Sequence, residues 1–105
     1  MDTQLKKGLL EICVLKCIEK EESYGYKIIT DVSKYIEISE STLYPILKRL
    51  EDSKCLSTYN EEHSGRLRKY YKITDLGIDK LNNFKEENKK LKKVINYILG
   101  GKKDE

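Results

Sequence analysis

The chain has 105 residues, 21 of them basic and 18 acidic, for a formal charge of +3 at pH 7. Charged residues make up 37% and the mean hydropathy is −0.67, and no apolar run approaches the roughly 20 residues needed to span a bilayer. This length suits one domain with a thin core, and the composition points away from the membrane and toward the cytoplasm.

The first predicted element is a helix from Thr3 to about Lys20, capped by Thr3 or Asp2. Lys6 and Lys7 before an apolar run faintly resemble a signal peptide, but Glu11 and Lys16 interrupt the run and no small-residue cleavage site follows. Leu5, Leu9, Ile12, Cys13 and Lys16 follow a helical spacing, and Leu10, Val14, Cys17 and Ile18 fill the neighbouring arc. The helix is therefore apolar over more than half its circumference, wider than one packing face requires. One side can meet its own domain, and the other wants a second surface such as another subunit. Three cysteines, Cys13, Cys17 and Cys55, are an odd number for a disulfide framework. Cys13 and Cys17 share a helix face and can pack as small hydrophobes or act as a metal or redox pair. Core packing is preferred because both fall among aliphatic residues.

Ser23 is placed to cap a second helix, Tyr24 to about Tyr35, with Ile28, Ile29 and Val32 on its apolar face. Tyr24, Tyr26 and Lys27 gather at its start, where spare N–H groups suit a phosphate. The tyrosines fit core-edge positions with wet tips equally well. Ile36 to Ile38 reads as a very short strand pairing with a later hairpin. Ser39 or Ser41 then caps a helix reaching about Ser53, with Leu43, Ile46, Leu47 and Leu50 as the buried stripe. Ser41, Thr42, Tyr44, Pro45, Lys48 and Arg49 lie off that stripe. Pro45 favours a helix start near Ser41 or a slight bend. In a helix-turn-helix the N-terminal part of the second helix meets base edges.

Cys55 to Glu62 reads as a strand, His63 to Arg66 as a turn, and Arg66 to Ile73 as the return strand. Period two puts Leu67, Lys69, Tyr71 and Ile73 on one face and Arg66, Arg68, Tyr70 and Lys72 on the other. The run Gly65 to Lys72 has four basic residues and no acidic one, a pattern suited to a polyanion. Thr74 caps a last helix, Asp75 to about Leu99. Leu81, Phe84, Asn88, Leu91, Ile95 and Ile98 make an a/d seam with Asn88 at an a position. Such a seam pairs with a partner helix or, if it stays at home, packs on its own domain. Gly100 to Glu105 is a polar tail.

The layout is mainly helical with a small hairpin: a winged helix-turn-helix followed by a long C-terminal helix. Residues 1–74 form the DNA-binding unit, and residues 75–105 form the dimerisation helix and tail, within one structural unit. An enzyme is disfavoured because the usual parts are absent from the sequence. There is one histidine, on the hairpin tip, no glycine-rich phosphate loop, and the carboxylates are scattered among lysines. Nothing in the sequence calls for a cofactor or a structural metal.

The segments GLLEICVLKCI, SYGYKI, STLYPILKRLEDSKCL and GRLRKYYKITDLG resemble the PadR family of winged-helix transcriptional regulators, over about Leu5 to Gly77. The resemblance implies a dimeric repressor that binds double-stranded DNA at a palindromic operator. It resembles the compact branch of the family, in which one C-terminal helix serves for dimerisation. It implies that Ser41, Thr42, Tyr44 and Lys48 belong to the recognition helix, that Arg66, Arg68 and Lys69 belong to the wing, and that Tyr24 and Lys27 belong to the preceding helix. Dimer contacts are expected from Leu5, Leu9 and Ile12 on the first helix and from the a/d seam on the last. Some compact relatives bind flat aromatic drugs between tryptophans at the dimer interface, and this chain has no tryptophan. A small-molecule effector pocket between the first and last helices would be lined by residues such as Leu9, Cys13, Phe84 and Asn88. The alternative function is a winged-helix adaptor whose hairpin meets an acidic protein surface.

Overall fold

The computed structural model describes residues 1–101. Helix α1 (Thr3–Cys17) leads through strand β1 (Ser23–Tyr24) to α2 (Gly25–Val32) and α3 (Glu40–Asp52). The hairpin β2 (Leu56–His63) and β3 (Arg66–Ile73) follows, then α4 (Asp75–Glu87) and α5 (Lys89–Ile98). The three strands form one antiparallel sheet in the order β1-β3-β2. The architecture is a winged helix-turn-helix, as the hydrophobic periodicities predict.

Helix α1 runs through the core. Its Leu10, Val14 and Leu15, with Ile18 at its C-cap, are buried against Ile28 and Val32 of α2, the α3 stripe Leu43, Ile46, Leu47 and Leu50, and Leu56 and Tyr71 of the sheet. Each such side chain contributes about 1.5–3 kcal/mol on leaving water. Asp2 caps α1, its Oδ2 accepting from the Leu5 N–H at 3.0 Å. The helix ends at Cys17, short of Lys20. One carboxylate on α1 and one just past its end tie this segment to its neighbours. Glu11 pairs with Lys80 of α4 at 2.8 Å and lies 3.5 Å from Arg49 of α3, while Glu19 meets Lys85 of α4 at 3.3 Å.

Two expectations near α2 are corrected. Ser23 does not cap the helix: it is buried in β1 opposite Tyr71, and Tyr24 stands at the cap position without a side-chain hydrogen bond. The extra strand is this Ser23–Tyr24 segment, not Ile36–Ile38, which forms no strand. Ile38 instead plugs the core at 8% exposure. Helix α2 also stops at Val32, before Tyr35.

Ser39 precedes α3, but its hydroxyl bonds to the hydroxyls of Ser41 (3.1 Å) and Thr42 (3.2 Å) instead of capping the backbone. Pro45 lies within the helix and leaves the Ser41 carbonyl without its amide donor. The hairpin closes through Ser64 and Gly65, with φ of 52° and 80° between the paired His63 and Arg66. Two successive positive φ values define a type I′ turn, whose twist matches that of the strands. Thr74 then locks the hairpin to α4: its Oγ1 donates to the Lys54 carbonyl at 2.6 Å and accepts from the Gly77 N–H at 3.2 Å.

The expected single last helix is divided. At Asn88 the backbone turns to φ −108° and ψ 7°, and α4 and α5 meet there. The Phe84 carbonyl accepts from both the Asn88 backbone N–H at 3.1 Å and the Asn88 side-chain amide at 2.9 Å; such local side-chain bonding makes Asn a poor mid-helix residue. Asn88 therefore marks a break between the two helices. Leu81 is buried within the chain's own fold and Phe84 is half-buried, whereas Leu91, Ile95 and Ile98 of α5 are exposed and α5 buries none of its residues. Of the polar tail, residues 102–105 lie outside the described residues. No helix among the described residues is long and apolar enough to cross a membrane.

Candidate nucleic-acid interface

The wing and the start of α2 enclose a cleft of about 540 Å³. Its lining includes Tyr24, Gly25, Tyr26, Tyr44, His63, Arg66, Arg68 and Lys69, and no carboxylate-bearing residue. Strand β1 pairs with β3 only at Tyr70 and Tyr71, which leaves the β3 edge nearer the tip open to the cleft, so cations from both faces of the strand line it. Arg66 and Arg68 enter no ion pair among the described residues. Lys69 does: its Nζ lies 3.3 Å from Glu51 of α3, which also accepts from the Thr58 hydroxyl at 3.0 Å. The Thr58 hydrogen bond, with help from Lys69, holds the Glu51 carboxyl below its usual range.

The outer face of the sheet is less purely basic than β3 alone suggests. Register places Tyr24, Tyr70 and Tyr59 in one row across the three strands and Glu61 opposite Arg68. Tyr59 and Tyr70 stack at 5.3 Å, and Tyr24 meets Tyr70 edge-on at 5.6 Å. The Arg68 guanidinium rests over the Tyr24 ring at 3.9 Å.

The predicted contact residues thus divide into two groups. Tyr24, Tyr44, Arg66, Arg68 and Lys69 converge on the cleft. Ser41, Thr42 and Lys48 stand on the exposed side of α3 outside it, and Lys27 stands on the exposed side of α2. The Lys27 ammonium is 3.0 Å from Asp31, and that hydrogen bond pushes its pKa up. Lys48 reaches only to 3.8 Å from Asp52. Sequence reasoning passed over Gly25, whose place is set by Tyr44: a Cβ there would collide with the Tyr44 hydroxyl and lie 2.9 Å from its Cζ. The signal was a glycine between two tyrosines at a helix start. His63, Ser64 and Leu67 also line the cleft, although the sequence marks them only as turn and strand residues.

Away from the wing, a cavity of about 480 Å³ between α1 and α4 is lined by Ile12, Leu76, Asn83 and Phe84, among others. It shares only Phe84 with the expected effector pocket. Cys13 lines a different cavity of about 390 Å³ with Cys17, Asp31, Val32 and Tyr35. Burial pushes the pKa of both thiols up, which disfavours the reactive thiolate.

The sequence profile described as the transcriptional regulator PadR-like family matches residues 14–83. The chain belongs to the PadR-like family. A PadR-like transcriptional regulator from Bacillus cereus is 37% identical, with a TM-score of 0.81 over 95% of this chain and 100% of that one. A PadR family transcription regulator from Clostridium difficile is 36% identical, with a TM-score of 0.79 over 88% of this chain and 99% of the other. An uncharacterized protein from Lysinibacillus sphaericus is 33% identical over 100 residues, 90% of this chain and 92% of its own. The PadR match runs from α1 into α4 and so contains the whole cleft, while α5 lies beyond it.

Proposed function

We propose that this PadR-like protein is a cytoplasmic, sequence-specific DNA-binding repressor that acts as a homodimer on a palindromic operator. The observation that carries this reading is the cleft beside α3, lined by three cationic side chains and no carboxylate. In a helix-turn-helix the second helix enters the major groove by its N-terminal residues. Ser41, Thr42, Tyr44 and Lys48 of α3 then face base edges, and the wing's Arg66 and Arg68 hold the adjoining phosphates. Lys69 contributes less than either arginine, because Glu51 already offsets part of its charge.

The dimer rests on α5. Its Leu91, Val94, Ile95 and Ile98 are 42–69% exposed, and a ten-residue helix with no packing is marginal in water. A second copy supplies the missing surface, together with the outward Leu5, Leu9 and Ile12 of α1. Leu81 belongs to the protomer core and Asn88 to the helix break, so neither is counted as a primary dimer contact.

Selection of genomic fragments by the purified full chain tests the reading, followed by binding titrations on the selected duplex. R66A/R68A is expected to weaken binding on every duplex and flatten its salt dependence. S41A and K48A are expected to change sequence preference. I95D is expected to yield monomers with weak half-site binding. Wild-type protein that selects no sequence and binds no duplex at moderate salt would overturn the proposal, and specific capture of an acidic protein in its place would support the adaptor function.

A further inference from the structure

Five side chains form a continuous column on the outer face of the sheet. Arg68 rests on Tyr24 at 3.9 Å, Tyr24 abuts Tyr70, Tyr70 stacks on Tyr59, and the Tyr59 hydroxyl donates to Glu22 in the connection before β1. The column crosses all three strands, so the wing is braced against the body of the domain beside its tip. Arg66, two residues nearer the tip, is exposed and has no comparable support.

We propose that Tyr24 is a positioning residue that seats Arg68 for a DNA phosphate, and not itself a phosphate ligand. This rests on the DNA-binding reading above. An arginine ordered before binding has less side-chain freedom to lose when it meets its acceptor. A guanidinium resting on a ring face still presents its N–H edge to an oxygen, because the cation–π contact uses the face and the phosphate uses the edge. Tyr70, Tyr59 and Glu22 act one step further back by keeping the Tyr24 ring from sliding along the sheet. The two wing arginines therefore differ in role: Arg68 arrives pre-aimed, and Arg66 adapts to the duplex.

The test is a double-mutant cycle on the full chain, read as affinity for its selected duplex. A cation–π contact at an exposed site corresponds to about a 2- to 5-fold change in affinity per half-site. Y24L is expected to lose that factor, and Y24F, which keeps the ring, to bind like wild type. In an R68A background Y24L should cost nothing more, whereas in an R66A background it should cost its full factor. Y24F as weak as Y24L would make the hydroxyl a direct contact and overturn the assignment. So would a full additional loss from Y24L on top of R68A. The NMR order parameter of the Arg68 Nε–H reads the seat without DNA: ordered in wild type and Y24F, mobile in Y24L. Wild-type protein that binds no duplex while Arg68 remains ordered would remove the DNA reading and leave the seat standing. An Arg68 side chain already mobile in wild type would remove the seat.

Discussion

Gly25 offers a direct test of how α2 and α3 are held together. A methyl placed there would collide with the Tyr44 hydroxyl and lie 2.9 Å from its Cζ, against the roughly 3.5–4.0 Å that carbon atoms prefer. The ring must retreat by about 1 Å. Overpacking of a fixed neighbour costs about 1–3 kcal/mol, but Tyr44 is 45% exposed and can swing outward, so the lower half of that range applies. Alanine also favours the helix over glycine by up to about 1 kcal/mol, and by less at a first turn. The net expectation for G25A is a loss of about 1 kcal/mol, or roughly 4–8 °C in melting temperature for a chain of this size. Thermal denaturation followed by circular dichroism measures it. The double variant G25A/Y44A should melt above Y44A, because the clash is gone and the helix gain remains. A G25A protein that melts at or above wild type while keeping Tyr44 in place would refute the packing argument. Operator affinity should fall in G25A as well, since Tyr44 sits on the proposed recognition surface.

The corresponding change at Gly77 should be harsher, because its Cβ would meet the Cys55 backbone carbonyl and lie 2.7 Å from Ile73 Cγ1; backbone cannot swing aside, and urea denaturation of G77A should show a loss of about 2–4 kcal/mol, by analogy with severe overpacking. Among the eight tyrosines, Tyr59 should ionise late, near about 12, because its hydroxyl donates to Glu22. Its neutral form is favoured in the fold, so its contribution is full below the ordinary tyrosine pKa and is lost as pH rises toward 12. Phenolate absorbance should lose this late step in Y59F, whose stability should fall less steeply over the same interval. Glu51 carries the opposite sign: its carboxyl is held low by Thr58 and then Lys69, so its contribution is present above pH 4.5 and lost as pH falls through the lowered value. T58V should blunt that acid-side loss in a denaturation series. N88A should join α4 and α5 into one helix, raising far-ultraviolet helical signal without disturbing the core.

Much of the fold is legible in the residues because one-dimensional periods carry it. The α3 stripe declares its buried side and the Gly65 tip declares the turn, while the alternation in β3 separates two faces of which only Tyr71 is buried. Strand β1 is not legible, since two residues have no period of their own and Ser23 and Tyr24 become a strand only because β3 lies beside them. The division at Asn88 was hidden for the opposite reason. The a/d spacing continues through it, while the backbone turn to φ −108° and ψ 7° is a local event that spacing does not record. At the candidate site, the charges of Arg66 and Arg68 were readable from the sequence. That Arg68 lies on Tyr24 and that Lys69 is drawn toward Glu51 depend on which strands are neighbours.

The two-residue turn at Ser64 and Gly65 also restricts how the wing can change length. Because side chains alternate from one face to the other, a single residue added within β3 beside the tip would carry Arg66 to the face now held by Leu67 and strand an apolar side chain in its place. Two residues added to each strand lengthen the arm and leave the faces as they are. A wing of this kind can therefore drift in reach only by even steps, and each odd step exchanges its cationic surface for its apolar one.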